Sequence, residues 1–468
     1  MELKSKLYAL VNRYDTLIVF LVIECLALTA FSLADANIIF RYLAFLISFA
    51  LIPFVIYFTP RKELLSFALF SIPLVVIAFL TSFSRFTLSM KFGALENLSV
   101  MLGTLAFFFL GFAVRKVKAF KIDIALLTIG ASIALLVFMS LAYSIFKYGI
   151  FHASIYKNLV YYYQGRLFVV SDEIKWLLGF SFVEMSINYM SFFGTLISSA
   201  LAGLLFLSPS REPRKFYLTL VIGLIGLASI VLVPNLNALY LLIPVAIFAV
   251  LYRFVSKREK VGNIVQYIFF AFLGIVGFAL LIAILNASGV SFISDAIAVN
   301  AFTNRLFNTN RIMQPINEVL KMMFTIDGLF GYPTTYLEAL VARTGAFEFE
   351  IIKEGGLFSF LAMIAFLILV FISLFRYSVK SKDHPFVKVI ILSALIGAFL
   401  HSSFLWETFP QAHNDDIYFS FFRSAPFLII LFLIGYAYYP LKGEPAEIDQ
   451  QQGIPLDQTV DVEEEIKL

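Results

Sequence analysis

The sequence predicts an all-α polytopic integral membrane protein, with about 12 transmembrane helices and a large helical outer loop before the tenth span. Three observations carry that prediction. The 468-residue chain is 61% hydrophobic and only 14% charged, whereas soluble domains are roughly 45–50% apolar. Its apolar residues gather into runs near the roughly 20 residues that a hydrocarbon core of about 30 Å demands. Between the runs, Lys and Arg concentrate at alternate loops, as expected of a chain that keeps its cationic loops in the cytoplasm.

The spans fall near 17–34, 38–58, 64–83, 96–114, 122–146, 182–207, 216–233, 237–252, 264–286, 355–375, 388–405 and 417–439. The apolar block over 177–207 exceeds what one span requires. Cationic clusters lie at Lys4, Lys6 and Arg13; at Arg61 and Lys62; at Arg115, Lys116, Lys118 and Lys121; and at Arg211, Arg214 and Lys215. Two more follow, at Arg253, Lys257, Arg258 and Lys260 and at Arg376, Lys380, Lys382 and Lys388. With these loops inside, both termini are cytoplasmic and the loops around 147–181, 287–354 and 406–416 face outward. The formal charge of +4 reports this topology, so no nucleic-acid partner is expected.

The polar start up to Asp15 and the lack of a small-residue cleavage site predict a retained first span and no removable signal peptide. The single cysteine, Cys25, excludes disulfides within the chain and a cysteine-based metal site. The expected organisation is a multi-span domain over 1–440, with loop 287–354 as a helical cap, and an acidic disordered cytoplasmic tail over 441–468. That tail holds Glu444, Glu447, Asp449, Asp457, Asp461 and the run Glu463-Glu464-Glu465, with almost no aromatic residue to bury.

The outer loops hold the polar chemistry. Loop 147–179 carries Tyr148, Tyr156, Tyr161, Tyr162 and Tyr163 beside Lys157, Arg166, Asp172, Glu173, Lys175 and Trp176. It reads either as an interfacial aromatic belt or as a sugar-binding rim. In the large loop, Ile316, Val319, Leu320 and Met323 recur at helical spacing behind Pro315, with Asp327-Gly328 as the stop. Thr335-Tyr-Leu-Glu338 fits a capping box for a second helix that Thr344-Gly345 closes. The charges partition by sign: Arg305 and Arg311 precede the first helix, whereas Glu338, Glu348, Glu350 and Glu354 follow it. Arginine presents a planar fork suited to phosphate oxygens, and a carboxylate can accept a proton from a sugar hydroxyl.

Three segments in this order resemble the O-antigen ligase and polymerase superfamily of Wzy-like and WaaL-like membrane proteins. They are Asn310-Arg311-Ile-Met-Gln-Pro-Ile-Asn-Glu-Val-Leu, Leu329-Phe-Gly331-Tyr-Pro333, and Phe347-Glu-Phe-Glu-Ile-Ile-Lys-Glu354-Gly-Gly356. The hydropathy likeness extends over 180–440 and the motif likeness over 310–360. Pro333 stands where the family's second turn glycine is usual, and Gly345-Ala346 stand where a ligase carries His-Asn. The segment Val233-Pro-Asn-Leu-Asn-Ala238 replaces a usual Ser-Arg-Gly. The missing ligase histidine favours a polymerase-like relative over a ligase, and the missing Ser-Arg-Gly removes an arginine from the family's usual phosphate-binding set.

The resemblance implies a glycosyltransferase that joins polyprenyl-diphosphate-linked oligosaccharide repeats at the outer face of the cytoplasmic (inner) membrane. Membrane lipids, a flippase and a chain-length regulator are the implied partners. Arg305 and Arg311, helped by Arg343, would hold the diphosphate, and Glu348 or Glu350, then His413, would be the base.

Other residues add to the candidate site. Glu184 and Asn188 share a helix face near membrane depth, where they would line a substrate cavity or bond a neighbouring helix. Arg41 and Arg85, near the outer span ends, would snorkel or reach a phosphate. The loop Trp406-Glu407-Thr-Phe-Pro-Gln-Ala-His413-Asn414-Asp415-Asp416 could orient a histidine base with a carboxylate, and His401 and Arg423 flank it. No cofactor is expected; Asp415 and Asp416 are the one place where a hard divalent cation is conceivable.

A second reading, a lipid-linked-oligosaccharide flippase or other multi-span transporter, would run its route past Glu184, Asn188 and His401. Sparse midplane charge and the lack of inverted repeats argue against it. A third, a transferase of single sugars from a monophosphate carrier, usually has an acidic pair in the first outer loop, where Asp35 stands alone.

Overall fold

A computed structural model describes residues 61–86, 105–115, 120–132, 187–232, 237–257, 347–404 and 425–440, with short pieces within 19–23, 43–50, 134–135 and 321–330. Among the described residues every regular element is helical and there is no strand. The helices are α1 (Arg61–Phe86), α2 (Leu105–Val114), α3 (Ile122–Ser132), α4 (Ile187–Gly203), α5 (Pro213–Leu232), α6 (Asn237–Lys257), α7 (Phe347–Lys380), α8 (Pro385–Phe404) and α9 (Ala425–Tyr436). Each falls on a predicted span. The predicted span 264–286, the tail 441–468 and most of loop 287–354 lie outside the described residues.

Two of these helices are long and apolar enough to cross a membrane, over Arg61–Leu80 and Gly355–Lys380. The second, at 26 residues, is about 39 Å long, ample for a hydrocarbon core of about 30 Å. Their sequences explain their ends. Glu63 in the first turn of α1 complements the helix dipole. Pro213 and Pro385 open α5 and α8, where the missing N–H costs nothing. The Nδ1 of His384 accepts the N–H of Phe386 at 3.3 Å, capping α8. Pro73 and Pro244 sit inside α1 and α6; apolar spans tolerate such breaks because neighbouring groups satisfy the freed carbonyls.

Two packing groups form the bundle. In one, α1, α2, α7 and α9 meet through aromatic rings: Phe67 stacks on Phe112 with centroids 3.9 Å apart, and Phe70 meets Phe366 at 6.1 Å. Tyr438 closes the cluster against Phe67 at 4.9 Å. In the other, α4 and α5 form an antiparallel hairpin through the 3-10 turn Leu204–Phe206, and α8 and α6 pack against it. Gly226 lies against Ile197 and Ser198, and Gly203 against Phe386 and Ile390. Small residues let these backbones approach where water supplies no hydrophobic drive.

The outward faces are apolar as well. Leu65, Leu69, Ile72 and Phe79 on α1 are exposed, as are Ile243, Ile247, Leu251 and Val255 on α6. On α7 the exposed stripe includes Leu361, Ile368, Phe371 and Phe375. A surface with such contiguous apolar stripes is unsuited to water.

Helix α7 begins at Phe347, eight residues before the predicted start of the tenth span, so Glu348, Glu350 and Glu354 are helical. Gly356 breaks it, with φ 72° and ψ −168°. That conformation is essentially restricted to glycine, and other residues pay about 1–3 kcal/mol there. Gly356→Ala is therefore expected to lower the unfolding free energy of the purified protein by about that amount, measured by denaturant titration in mixed micelles. Unchanged stability would show that the kink does not need a glycine.

Candidate functional site

Hydrogen bonds bring one end of each described helix together. Ser66 at the start of α1 lies 2.7 Å from the hydroxyl of Tyr438, just past α9. Arg115, at the end of α2, donates from Nη1 to the carbonyl oxygen of Tyr438 at 2.7 Å. Tyr252 on α6 donates to the Ser378 carbonyl on α7 at 3.2 Å, and Arg253 donates to the Leu205 carbonyl beyond α4. Lys215 of α5 pairs with Asp123 of α3 at 2.6 Å, and Lys388 of α8 donates to the carbonyls of Ser378 and Ser381.

This end is strongly basic. Arg61, Lys62, Arg115, Lys121, Arg211, Arg214, Lys215, Arg253, Lys257, Arg376, Lys380, Lys382 and Lys388 lie at it, and among the described residues Glu63, Asp123, Glu212 and Asp383 oppose them. The Arg115 guanidinium sits 5.8 Å from the ring centroid of Tyr377 and 5.9 Å from that of Tyr439, and Arg376 lies 5.8 Å from Tyr439. Tyr377 donates to Oδ2 of Asp383 at 2.7 Å. Ser373 receives the N–H of Tyr439 at 2.8 Å and donates to its carbonyl at 3.2 Å. Hydrogen bonding to Asp123 raises the Lys215 pKa, outweighing the opposing effect of burial, so the Lys215 ammonium stays charged at neutral pH. These bonds tie the ends of several helices to one another.

The opposite end has another character. There α7 opens with Glu348 and Glu350 in its first turn, where negative charge is favoured by the dipole. The 3-10 turn Asp327–Leu329 packs beside it, with Phe330 5.2 Å from Phe358 and the Gly328 N–H donating to Oγ1 of Thr325 at 3.1 Å. The predicted stop at Asp327-Gly328 coincides with this turn. Asn188 lies in the first turn of α4, whose other end reaches the basic end of the bundle through Leu205, so its backbone lies at the same end as those of Glu348 and Glu350. Glu184, Arg305, Arg311, Glu338, Arg343, His413, Asp415 and Asp416 lie outside the described residues. Among the described residues no group of His, Cys, Asp and Glu could hold a metal ion.

The sequence reading did not single out the Arg115–Tyr438–Tyr439–Arg376 network. Its signal was present in Tyr436-Ala-Tyr438-Tyr439 at the end of the last span, which reads as an aromatic belt until Arg115 is brought beneath it. No family model, curated protein or solved structure matches this chain.

Proposed function

We propose that this chain is a membrane glycosyltransferase that polymerises polyprenyl-diphosphate-linked oligosaccharide repeats of a surface polysaccharide. It would work at the outer face of the cytoplasmic membrane, with about twelve spans and both termini inside. The observation that carries the reading is the polarity of the bundle. Basic side chains gather at one end, as cytoplasmic ends do, and Glu348 and Glu350 open a helix at the other.

In this reading the acceptor hydroxyl oxygen attacks the anomeric carbon of the donor sugar. The bond from that carbon to the diphosphate breaks, its electron pair leaves with the diphosphate, and the hydroxyl proton passes to Glu348 or Glu350, with His413 as the other candidate base. Arg305, Arg311 and Arg343 neutralise the departing charge, the electrostatic contribution expected to dominate. Glu338, Asp415, Asp416, Glu184 and Asn188 hold the sugars. A flippase and a chain-length regulator are the proposed partners.

Arg311→Ala, present in membranes at normal level, is expected to lower polymer formation from purified lipid-linked repeats by about 10²-fold, the scale of losing one pre-organised charge contact. Unchanged polymer length rejects the assignment. Reconstituted protein that moves labelled lipid-linked sugar between leaflets without lengthening it favours the flippase instead.

A further inference from the structure

Helices α1 and α7 lie side by side and antiparallel. Phe70 faces Phe366, while the consecutive residues Tyr438 and Tyr439 bond Ser66 and Ser373. In that register Leu65 is level with Ile372 and Leu69 with Ile368, and all four are exposed; Phe79 extends the α1 stripe, while Phe358 on α7 is packed against Phe330. The inward faces are spent on the Phe67–Phe112–Tyr438 cluster. What remains outward is a pair of apolar ladders that end, at the basic end, in exposed Arg61, Lys62 and Lys380. The acidic residue of the same turn of α1, Glu63, is only 8% exposed, so little of it reaches this surface.

We infer that this two-helix face is a binding site for an anionic phospholipid. Arg61, Lys62 and Lys380 take the headgroup phosphate, and the acyl chains lie along the ladders. The dimensions agree: Leu65 to Phe79 rises about 21 Å along a helix, longer than the roughly 15 Å depth of one leaflet of a 30 Å core. Apolar stripes alone would accept any lipid; the cationic end makes the site selective for net negative charge. Each cation near a membrane surface contributes about a five-fold preference, so three give roughly 100-fold at low salt, less as salt rises. The site depends on the bilayer placement and not on glycosyl transfer.

The test uses the full chain purified in a neutral detergent, with phosphatidylglycerol or phosphatidylcholine added and bound lipid read by native mass spectrometry. The expected result is at least about ten-fold preferential retention of phosphatidylglycerol, lost in R61Q/K62Q/K380Q and kept in R211Q/R214Q, which alters charge elsewhere at the same end. Single R61Q, at an exposed position, gives a graded loss if the triple variant does not purify. Equal retention of the two lipids by the unaltered chain, or unchanged preference in both R61Q/K62Q/K380Q and R61Q, overturns the site. A chain that stays soluble in buffer without detergent overturns the bilayer placement as well, a result read before any lipid is added.

Discussion

Replacing Gly111 by alanine is expected to destabilise the bundle by about 3 kcal/mol, the upper part of the range for overpacking, and Gly435→Ala should do the same. A methyl on Gly111 would overlap the backbone carbonyl oxygen of Phe432, and one on Gly435 would overlap that of Phe108. Helices α2 and α9 run in the same direction, since Val114 and Tyr436 both lie toward the basic end. Each glycine thus lets the partner's backbone approach where any side chain would stand, the small-residue packing that drives helix association in lipid. Backbone atoms cannot rotate away, so an added methyl must push a whole helix outward and loosen the Phe67–Phe108–Phe112 stack beside it.

Gly397→Ala supplies the comparison, because its new methyl would meet only side chains, Thr195 at 3.1 Å and Val245 at 3.6 Å. It should cost under about 1 kcal/mol, since side-chain ends can give by a few tenths of an ångström. Denaturant titration in mixed micelles measures all three variants. If Gly111→Ala proves no more costly than Gly397→Ala, the close approach of α2 and α9 is wrong.

Arg115→Met is the second large effect, expected to cost about 2–5 kcal/mol. Removing the guanidinium leaves the Tyr438 carbonyl without its donor, a loss of about 1–3 kcal/mol for a buried acceptor. It also removes the cation from beside Tyr377 and Tyr439, worth about 0.5–1 kcal/mol for each ring. Methionine keeps much of the side-chain volume, so the loss isolates the polar contacts. Arg115→Lys keeps the charge without the planar fork and should restore only part of the stability. Equal stability of Arg115→Met and the unaltered chain, in the same titration, would show that the network does not anchor α2 to α9.

Local chemistry made much of the architecture legible. Runs of apolar residues at span length fixed where helices would lie, because in lipid every backbone N–H and C=O must be satisfied within its own segment. The described helices α1 to α9 fall on those runs. Pro213 and Pro385 marked two helix starts by their fixed geometry. The start of α7 was harder to see. Phe347-Glu-Phe-Glu alternates polar and apolar residues and reads as a loop edge, yet it forms the first turn of α7.

The candidate site was legible as chemistry rather than as geometry. Arginines before a helix and carboxylates after it suggested diphosphate and hydroxyl partners, since charge type and order are properties of the chain itself. Which side chains converge depends on contacts between residues far apart in sequence. Arg115 and Tyr438 are 323 positions apart, and no periodicity pairs them.

By itself, then, the sequence determined that this is an apolar, helix-forming chain with its cations at alternate loops, because composition, run length and charge are local quantities. Only the tertiary structure decided that Arg115 reaches the Tyr438 carbonyl, that Gly111 and Gly435 let the backbones of α2 and α9 approach closely, and that α1 and α7 lie side by side with apolar stripes exposed. Each is a matter of which surfaces exclude one another in space, and in lipid that selection is made by backbone shape and paired polar groups rather than by hydrophobicity, which every candidate face shares.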